Sequence, residues 1–237
     1  MRTWILIPAL DEEESLALVL DALPIDEDLR VVVCDNGSVD RTPQVAVAGG
    51  AFVVHEPVRG YGAACLTAMA EAKRRGIDDD DVVVFLDADF SDDPTELPLV
   101  VGPIQRDEAD LVVGSRVRGE HEAGALLPQA RFGNWLATTL IRAMTGVRFT
   151  DLGPFRALRW RTLRDLQMRD RAFGWTVEMQ LKAASDGLRC QEVPVRYRKR
   201  VGRSKITGTI RGTFLAGATI LGILGRWALP GHGGLRQ

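Results

Sequence analysis

Val82-Val83-Val84-Phe85-Leu86 runs without a break into Asp87-Ala88-Asp89. A strand with one wet face alternates apolar and polar residues, so an unbroken apolar run predicts a strand covered on both faces. Working outward, the same reading applies to Thr3–Ile7 before Pro8, to Val31–Cys34 before Asp35-Asn36-Gly37-Ser38, to Ala51–Val54 and to Leu111–Val113. Between these runs the apolar spacing turns helical. Leu16, Val19, Leu20 and Leu23 recur at i, i+3, i+4 and i+7, with Asp11 and Glu14 at capping-box spacing, and Ala63 to Arg74 forms a further helix. Beyond Gly119 the order weakens, although Arg131–Thr145 and Gly174–Gly187 read as helices. The predicted fold class is α/β, a mostly parallel, Rossmann-like sheet flanked by helices. Ligands of such sheets gather at the carboxyl ends of the strands, so the polar residues that follow each strand are the ones to read.

With 237 residues the chain is long enough for one α/β domain and too short for two full ones. Hydrophobic residues at 46% and charged residues at 26% argue against disorder, and a net charge of −2 excludes a global polyanion binder. Cys34, Cys65 and Cys190 are odd in number and widely spaced, which favours free thiols in a reducing compartment. Trp4–Leu10 contains Pro8 and runs into Asp11-Glu12-Glu13-Glu14, so it does not read as an export signal. Between Arg211 and Arg226 lie 14 uncharged residues, fewer than the roughly 20 needed to span a bilayer. The expected organisation is a catalytic domain over 1–207 and a C-terminal interfacial or packing helix with its tail over 208–237.

Asp87 and Asp89, alternating on an extended segment with Ala88 opposite, would face one side and repel each other unless a cation lies between them. Oxygen ligands of this kind suit Mg²⁺ or Mn²⁺ sharing coordination with substrate phosphates; two unrelated turn aspartates are the plain alternative. Asp35 to Thr42 offers a carboxylate for a base or ribose, or only a turn with a helix cap at Ser38 or Asp40. Gly60-Tyr61-Gly62 opens a helix whose N–H groups could approach a phosphate, yet Cys65 fills the last glycine position of a dinucleotide fingerprint, which rejects that motif. Arg196 to Lys205 packs six cations into ten residues around Gly202. It reads as a diphosphate clamp, a headgroup patch, a nucleic-acid contact or a solvated loop.

Taken in order, these residues resemble a family 2 glycosyltransferase of the dolichyl-phosphate mannosyltransferase-like branch over roughly residues 3–210. The resemblance rests on Ile7-Pro8-Ala9-Leu10-Asp11-Glu12, Asp35-Asn36-Gly37-Ser38-x-Asp40-x-Thr42, Gly60-Tyr61-Gly62-Ala63 and Asp87-Ala88-Asp89. It continues through Gly114-Ser115-Arg116, Asp151-x₃-Phe155-Arg156-Ala157 and Arg200-x-Gly202-x-Ser204-Lys205. It implies a GT-A fold and an inverting, metal-dependent hexosyl transfer. Pro8, Ala9, Glu12 and Asp35 would hold the nucleoside, with Gly60 and Ala88 beside the nucleotide. Asp87 and Asp89 would bind the nucleotide and Mg²⁺ or Mn²⁺. Arg116 and Arg131 would face an acceptor phosphate, and Arg200, Ser204 and Lys205 the donor diphosphate. The chain departs from the family pattern at Asp11 (usually Asn), Asn36 (usually Asp), Ser91 (commonly a metal-contacting Gln) and Pro154 (usually Gly).

The expected partners are a nucleotide-sugar donor, UDP-linked in preference to GDP-mannose, and a polyprenyl-phosphate acceptor, with no nucleic acid. A lipid phosphate is already nucleophilic, whereas a hydroxyl acceptor would need a base, for which Asp151 and Glu178 are the candidates unless they serve structural pairs with residues such as Arg156 or Lys182. Residues 208–229 would give peripheral membrane contact at the cytosolic face, or pack in a homodimer. Two other classes compete. A nucleotidyltransferase would need a glycine-rich loop after the first strand, where Pro8-Ala9-Leu10-Asp11 stands. A phosphoacceptor receiver domain would end near residue 125 and leave Arg200–Lys205 unused.

Overall fold

Trp4 and Leu6 face one helical layer while Ile5, Ile7 and Ala9 face the other, which is why the first strand is apolar throughout. The computed structural model describes residues 1–202 together with Gly222. Its strands are β1 (Thr3–Ala9), β2 (Leu29–Asp35), β3 (Phe52–His55), β4 (Val82–Phe85), β5 (Leu111–Ser115), β6 (Arg156–Arg159) and β7 (Cys190–Pro194). Its helices are α1 (Glu13–Ala22), α2 (Thr42–Ala48), α3 (Tyr61–Arg74), α4 (Leu97–Gln105), α5 (Pro128–Thr145), α6 (Trp160–Asp165) and α7 (Trp175–Ser185). The seven strands form one sheet in the order β3-β2-β1-β4-β6-β5-β7. Only β6 runs antiparallel to its neighbours. One core unites α3, α5, α6 and α7 with the sheet; the other unites α1, α2 and α4 with the opposite face.

The chain leaves β1 toward β2 and β3, then returns to place β4 on the other side of β1, so a switch point opens between β1 and β4. Pro8 fits there for a specific reason. The β1–β4 pairing ends at Leu6, whose carbonyl accepts from Leu86 at 3.3 Å. Pro8, two residues on, faces the same side where no strand remains to miss its N–H.

Two sequence expectations give way here. No capping box forms at α1. Asp11 takes a left-handed conformation (φ 50°), and the first helical N–H groups are met from another loop, Glu13 N donating to Asp40 Oδ2 at 3.2 Å. Asp87-Ala88-Asp89 is not extended throughout, because β4 ends at Phe85 and the chain turns at Ala88 and Asp89 before a left-handed Phe90 (φ 59°). β6, β7, α4 and α6 escaped the sequence reading: β6 and α6 are short, charge interrupts β7, and Pro98 and Pro103 break up the run of α4. Ser204, Lys205 and the expected C-terminal helix over 208–237 lie outside the described residues, Gly222 excepted.

Candidate functional site

The loops after β1 and β2 are cross-braced. Asp11 N donates to Ser38 Oγ at 2.9 Å, Val39 N to Asp11 Oδ1 at 2.7 Å, and Glu12 N to Thr42 Oγ1 at 2.8 Å. Ala9 O accepts from Asn36 N at 2.8 Å, tying the ends of both strands. Asp35 is buried, with Oδ1 accepting from Ser38 N at 3.1 Å and Oδ2 lying 2.9 Å from His55 Nδ1. Asn36 reaches further. Its amide donates to Glu56 O and Val58 O at 3.0 and 2.9 Å, and its Oδ1 accepts from Gly60 N at 2.8 Å. The departure from aspartate thus supplies two donors that a carboxylate lacks.

At the end of β4 the carboxylates converge. Tyr61 Oη donates to Asp87 Oδ1 at 3.0 Å, and Ser91 donates to Asp89 Oδ1 through Oγ at 2.6 Å and through its backbone N at 3.0 Å. Burial first, and then the charge of Asp89, pushes Asp87 up to about 7. Asp92 is 2% exposed, and neither of its carboxylate oxygens has a hydrogen-bond partner. Burial, and after it the charge of Asp87, holds its carboxyl well above the usual range. Arg200 spans Glu12 Oε1 at 2.6 Å and Asp89 Oδ2 at 3.4 Å, while its Nε is buried without a partner. Among the described residues neither Asp87 nor Asp92 makes a close ion pair, although Arg116 lies near enough to offset part of the charge of both. Hard oxygen donors in negative excess fit a divalent cation. Among the described residues no three acidic, His or Cys side chains converge closely enough to enclose an ion by themselves. A bound metal would therefore need phosphate and water to complete its ligands, and Ser91 spends its hydroxyl on orienting Asp89.

Arg116 and Asp151 form a bidentate pair, Nε to Oδ2 and Nη2 to Oδ1 both at 2.8 Å, with Arg116 N also donating to Oδ2 at 2.7 Å. The guanidinium lies 5.0 Å from the Tyr197 ring centroid. Asp151 is 1% exposed and its partner is Arg116, not Arg156; Arg156 is instead buried among the carbonyls of Leu152, Gly153 and Thr176. Glu178 accepts from Arg169 N at 3.0 Å and Asp170 N at 2.7 Å and pairs with Lys182 at 2.7 Å. Its carboxylate fastens a loop.

That loop corrects the expectation for Gly60 and the start of α3. Gly62 N donates to Ala172 O at 3.1 Å and Ala63 N to Arg171 O at 3.0 Å, so these N–H groups are already used and do not await a phosphate. A Cβ on Gly60 or Gly62 would overlap the carbonyl oxygens of Arg171 and Asp170, which is the reason for glycine at both positions. The basic run is likewise partly structural. Arg196 pairs with Glu96 at 2.8 Å and Asp93 at 3.2 Å, and Arg198 with Asp93 at 2.7 Å. Arg131 lies on α5 and lines a cavity of about 370 Å³ together with Val117 and Thr150, the neighbours of Arg116 and Asp151, and with Trp135, Arg142 and Arg148. Sequence reasoning missed Tyr61, Asn36 and Asp92 as site residues. Tyr61 stands between two glycines that carry the recognisable signal of that stretch, and Asp92 has no spacing signal at all.

A model of the family described as Glycosyl transferase family 2 matches residues 4–166. An uncharacterised glycosyltransferase of Mycobacterium tuberculosis is 37% identical over 215 residues, 90% of this chain and 93% of the relative. An undecaprenyl-phosphate mannosyltransferase of Micrococcus luteus is 32% identical over 242 residues, 96% of each chain. Among solved structures, glucosyl-3-phosphoglycerate synthase of M. tuberculosis with Mn²⁺, UDP-glucose and phosphoglyceric acid superposes with a TM-score of 0.69 at 24% identity, over 94% of this chain and 80% of that one.

Proposed function

This chain belongs to glycosyl transferase family 2 and is a glycosyltransferase, and from that premise we propose that it moves a hexose with inversion from a nucleoside diphosphate to a polyprenyl phosphate, using Mg²⁺ or Mn²⁺. The observation that carries the reading is the group of incompletely neutralised carboxylates, Asp87, Asp89 and Asp92, at the switch point beside β1. The acceptor class is supported by the Micrococcus relative's name, and by a dolichyl-phosphate hexose transferase of Haloferax volcanii that is 32% identical over 198 residues. A uridine donor is preferred over GDP-mannose, consistent with the UDP-glucose bound to the structural neighbour.

Asp87 and Asp89 would hold the cation, which when bound screens the donor diphosphate and the charge that grows on it. Pro8, Ala9, Glu12 and Asp35 would hold the nucleoside, with Ala88 beside the nucleotide. Arg200, with its unspent Nε, lies where a diphosphate would enter; Ser204 and Lys205 would extend the clamp. The acceptor phosphate oxygen forms a bond to the anomeric carbon as the bond to the donor phosphate breaks, its electron pair leaving on the nucleoside diphosphate. An anionic acceptor needs no base. Asp151 therefore serves to fix Arg116 toward the acceptor, Arg131 anchors the acceptor from its cavity, and Glu178 braces α3. The catalytic domain would close near residue 207, with residues 208–237 at the cytosolic face of a membrane or in a dimer. Among the described residues no helix is long and apolar enough to cross a membrane.

A thermal-shift panel of nucleotides with and without Mn²⁺ tests the reading. A nucleoside diphosphate should raise the melting temperature only when the metal is present. Equal shifts in excess chelator, or no shift from any nucleotide with metal, would overturn it.

A further inference from the structure

From Ala123 to Thr150 the chain carries no carboxylate, yet it carries Arg131, Arg142 and Arg148. That is unusual for a chain with 32 acidic residues in 237, and it coincides with helix α5. Pro128, Arg131, Phe132, Trp135, Thr139, Arg142 and Ala143 are all exposed, and at 100° per residue they fall on one face. Phe132 and Trp135 are 61% and 59% exposed, with ring centroids 5.8 Å apart. Among the described residues neither ring is covered by the core, and none of Arg131, Arg142 and Arg148 forms an ion pair with a carboxylate. Water is a poor solvent for such a pair of rings, and an exposed aromatic pair flanked by unpaired cations marks an interaction surface.

We propose that this face of α5 docks on an anionic lipid surface, with Phe132 and Trp135 entering the headgroup region and Arg142 and Arg148 meeting lipid phosphates. Charge complementarity selects this partner. A segment without a single carboxylate is attracted to an anionic bilayer and repelled by its own copy, and flat amphipathic rings are suited to the headgroup layer. The docked helix would be rigidly referred to the candidate site. Asn134 of α5 donates to Thr150 O at 2.8 Å and accepts from Leu152 N at 2.7 Å, on either side of the Asp151 that fixes Arg116. Docking would thus present the site to the membrane plane whatever the acceptor is, independently of the nucleotide reading above. It also places a membrane contact within the described fold, apart from residues 208–229.

The test is flotation of the full chain with vesicles of phosphatidylglycerol and phosphatidylcholine, alongside vesicles of phosphatidylcholine alone. The wild type should float with the anionic vesicles at low salt and be released as salt rises. Phe132→Ser with Trp135→Ser should weaken partitioning by about tenfold or more, and Arg142→Gln with Arg148→Gln by about fivefold per charge. Both variants should keep the wild-type melting temperature and nucleotide response. A wild type that does not float, or variants that float like it, would overturn the proposal. A double-aromatic variant that splits a solution dimer without changing flotation would overturn it as well, assigning the face to a second copy.

Discussion

Asn36 and Asp11 stand where the family pattern has their chemical near-twins, and the two exchanges have different physical standing. Asp11 sits at φ 50° with its carboxylate accepting from Val39 N. Asparagine tolerates that left-handed conformation equally and could accept the same bond, so the exchange is nearly neutral. Asn36 has no such freedom, because two carbonyls and one N–H converge on its amide. Asn36→Asp should leave both carbonyls unpaired and bring a charge near Glu56, at a cost of about 1–3 kcal/mol in urea or thermal unfolding. Stability within experimental error of wild type would contradict that bonding. The thiols are governed by burial in the same way. Burial pushes Cys34 and Cys190 from the ordinary 9.0 up to about 12, and Cys65 well above its ordinary value. At pH 8 the thiolate fraction of Cys34 and Cys190 is then about a thousandfold below that of a free thiol. A disulfide-exchange reagent should titrate the three cysteines only after denaturation.

At the scale of elements, the loop 169–174 and helix α3 form a single device. Glu178 holds the N–H groups of Arg169 and Asp170, Asp170 holds those of Ala172 and Gly174, and the carbonyls of Arg171 and Ala172 close onto α3. Tyr61, the first residue of α3, then delivers its hydroxyl to Asp87. Glu178→Gln should lower stability by about 1–3 kcal/mol through the bracing it removes. Turnover of the folded enzyme should change by less than about tenfold, against the ~10²–10⁴-fold loss of a missing general base. Denaturation and steady-state kinetics on the one variant separate the two roles. None of this device was legible in the sequence. Gly60-Tyr61-Gly62 looks like a phosphate loop because its glycines announce a close approach of backbone, but they do not say to what. Here it is another stretch of the same protein.

At the scale of the molecule, the five parallel strands were legible from their unbroken apolar runs, which in β1, β4 and β5 reflect burial on both faces. β6 was not, since Arg156-Ala157-Leu158-Arg159 puts charge at both ends of an antiparallel strand. β7 was not, because Gln191 and Glu192 interrupt the apolar run of Cys190-Gln191-Glu192-Val193-Pro194. The site was legible as a list of strand-end residues, and the structure brings Glu12, Asp35, Asp87, Asp89 and Arg200 to one end of the sheet. Which acids are spent on structure was not legible, since Asp151 and Glu178 declare their partners only once the chain is folded. If the acidic cluster at this switch point drives sugar transfer, it does so through a divalent cation. The most direct measurement is transfer of labelled sugar from UDP- and GDP-hexoses to undecaprenyl phosphate, for wild type and Asp89→Asn, in Mn²⁺ and in excess chelator. Lipid-linked sugar should form only with wild type and metal. Undiminished turnover in chelator, or by Asp89→Asn, would contradict it.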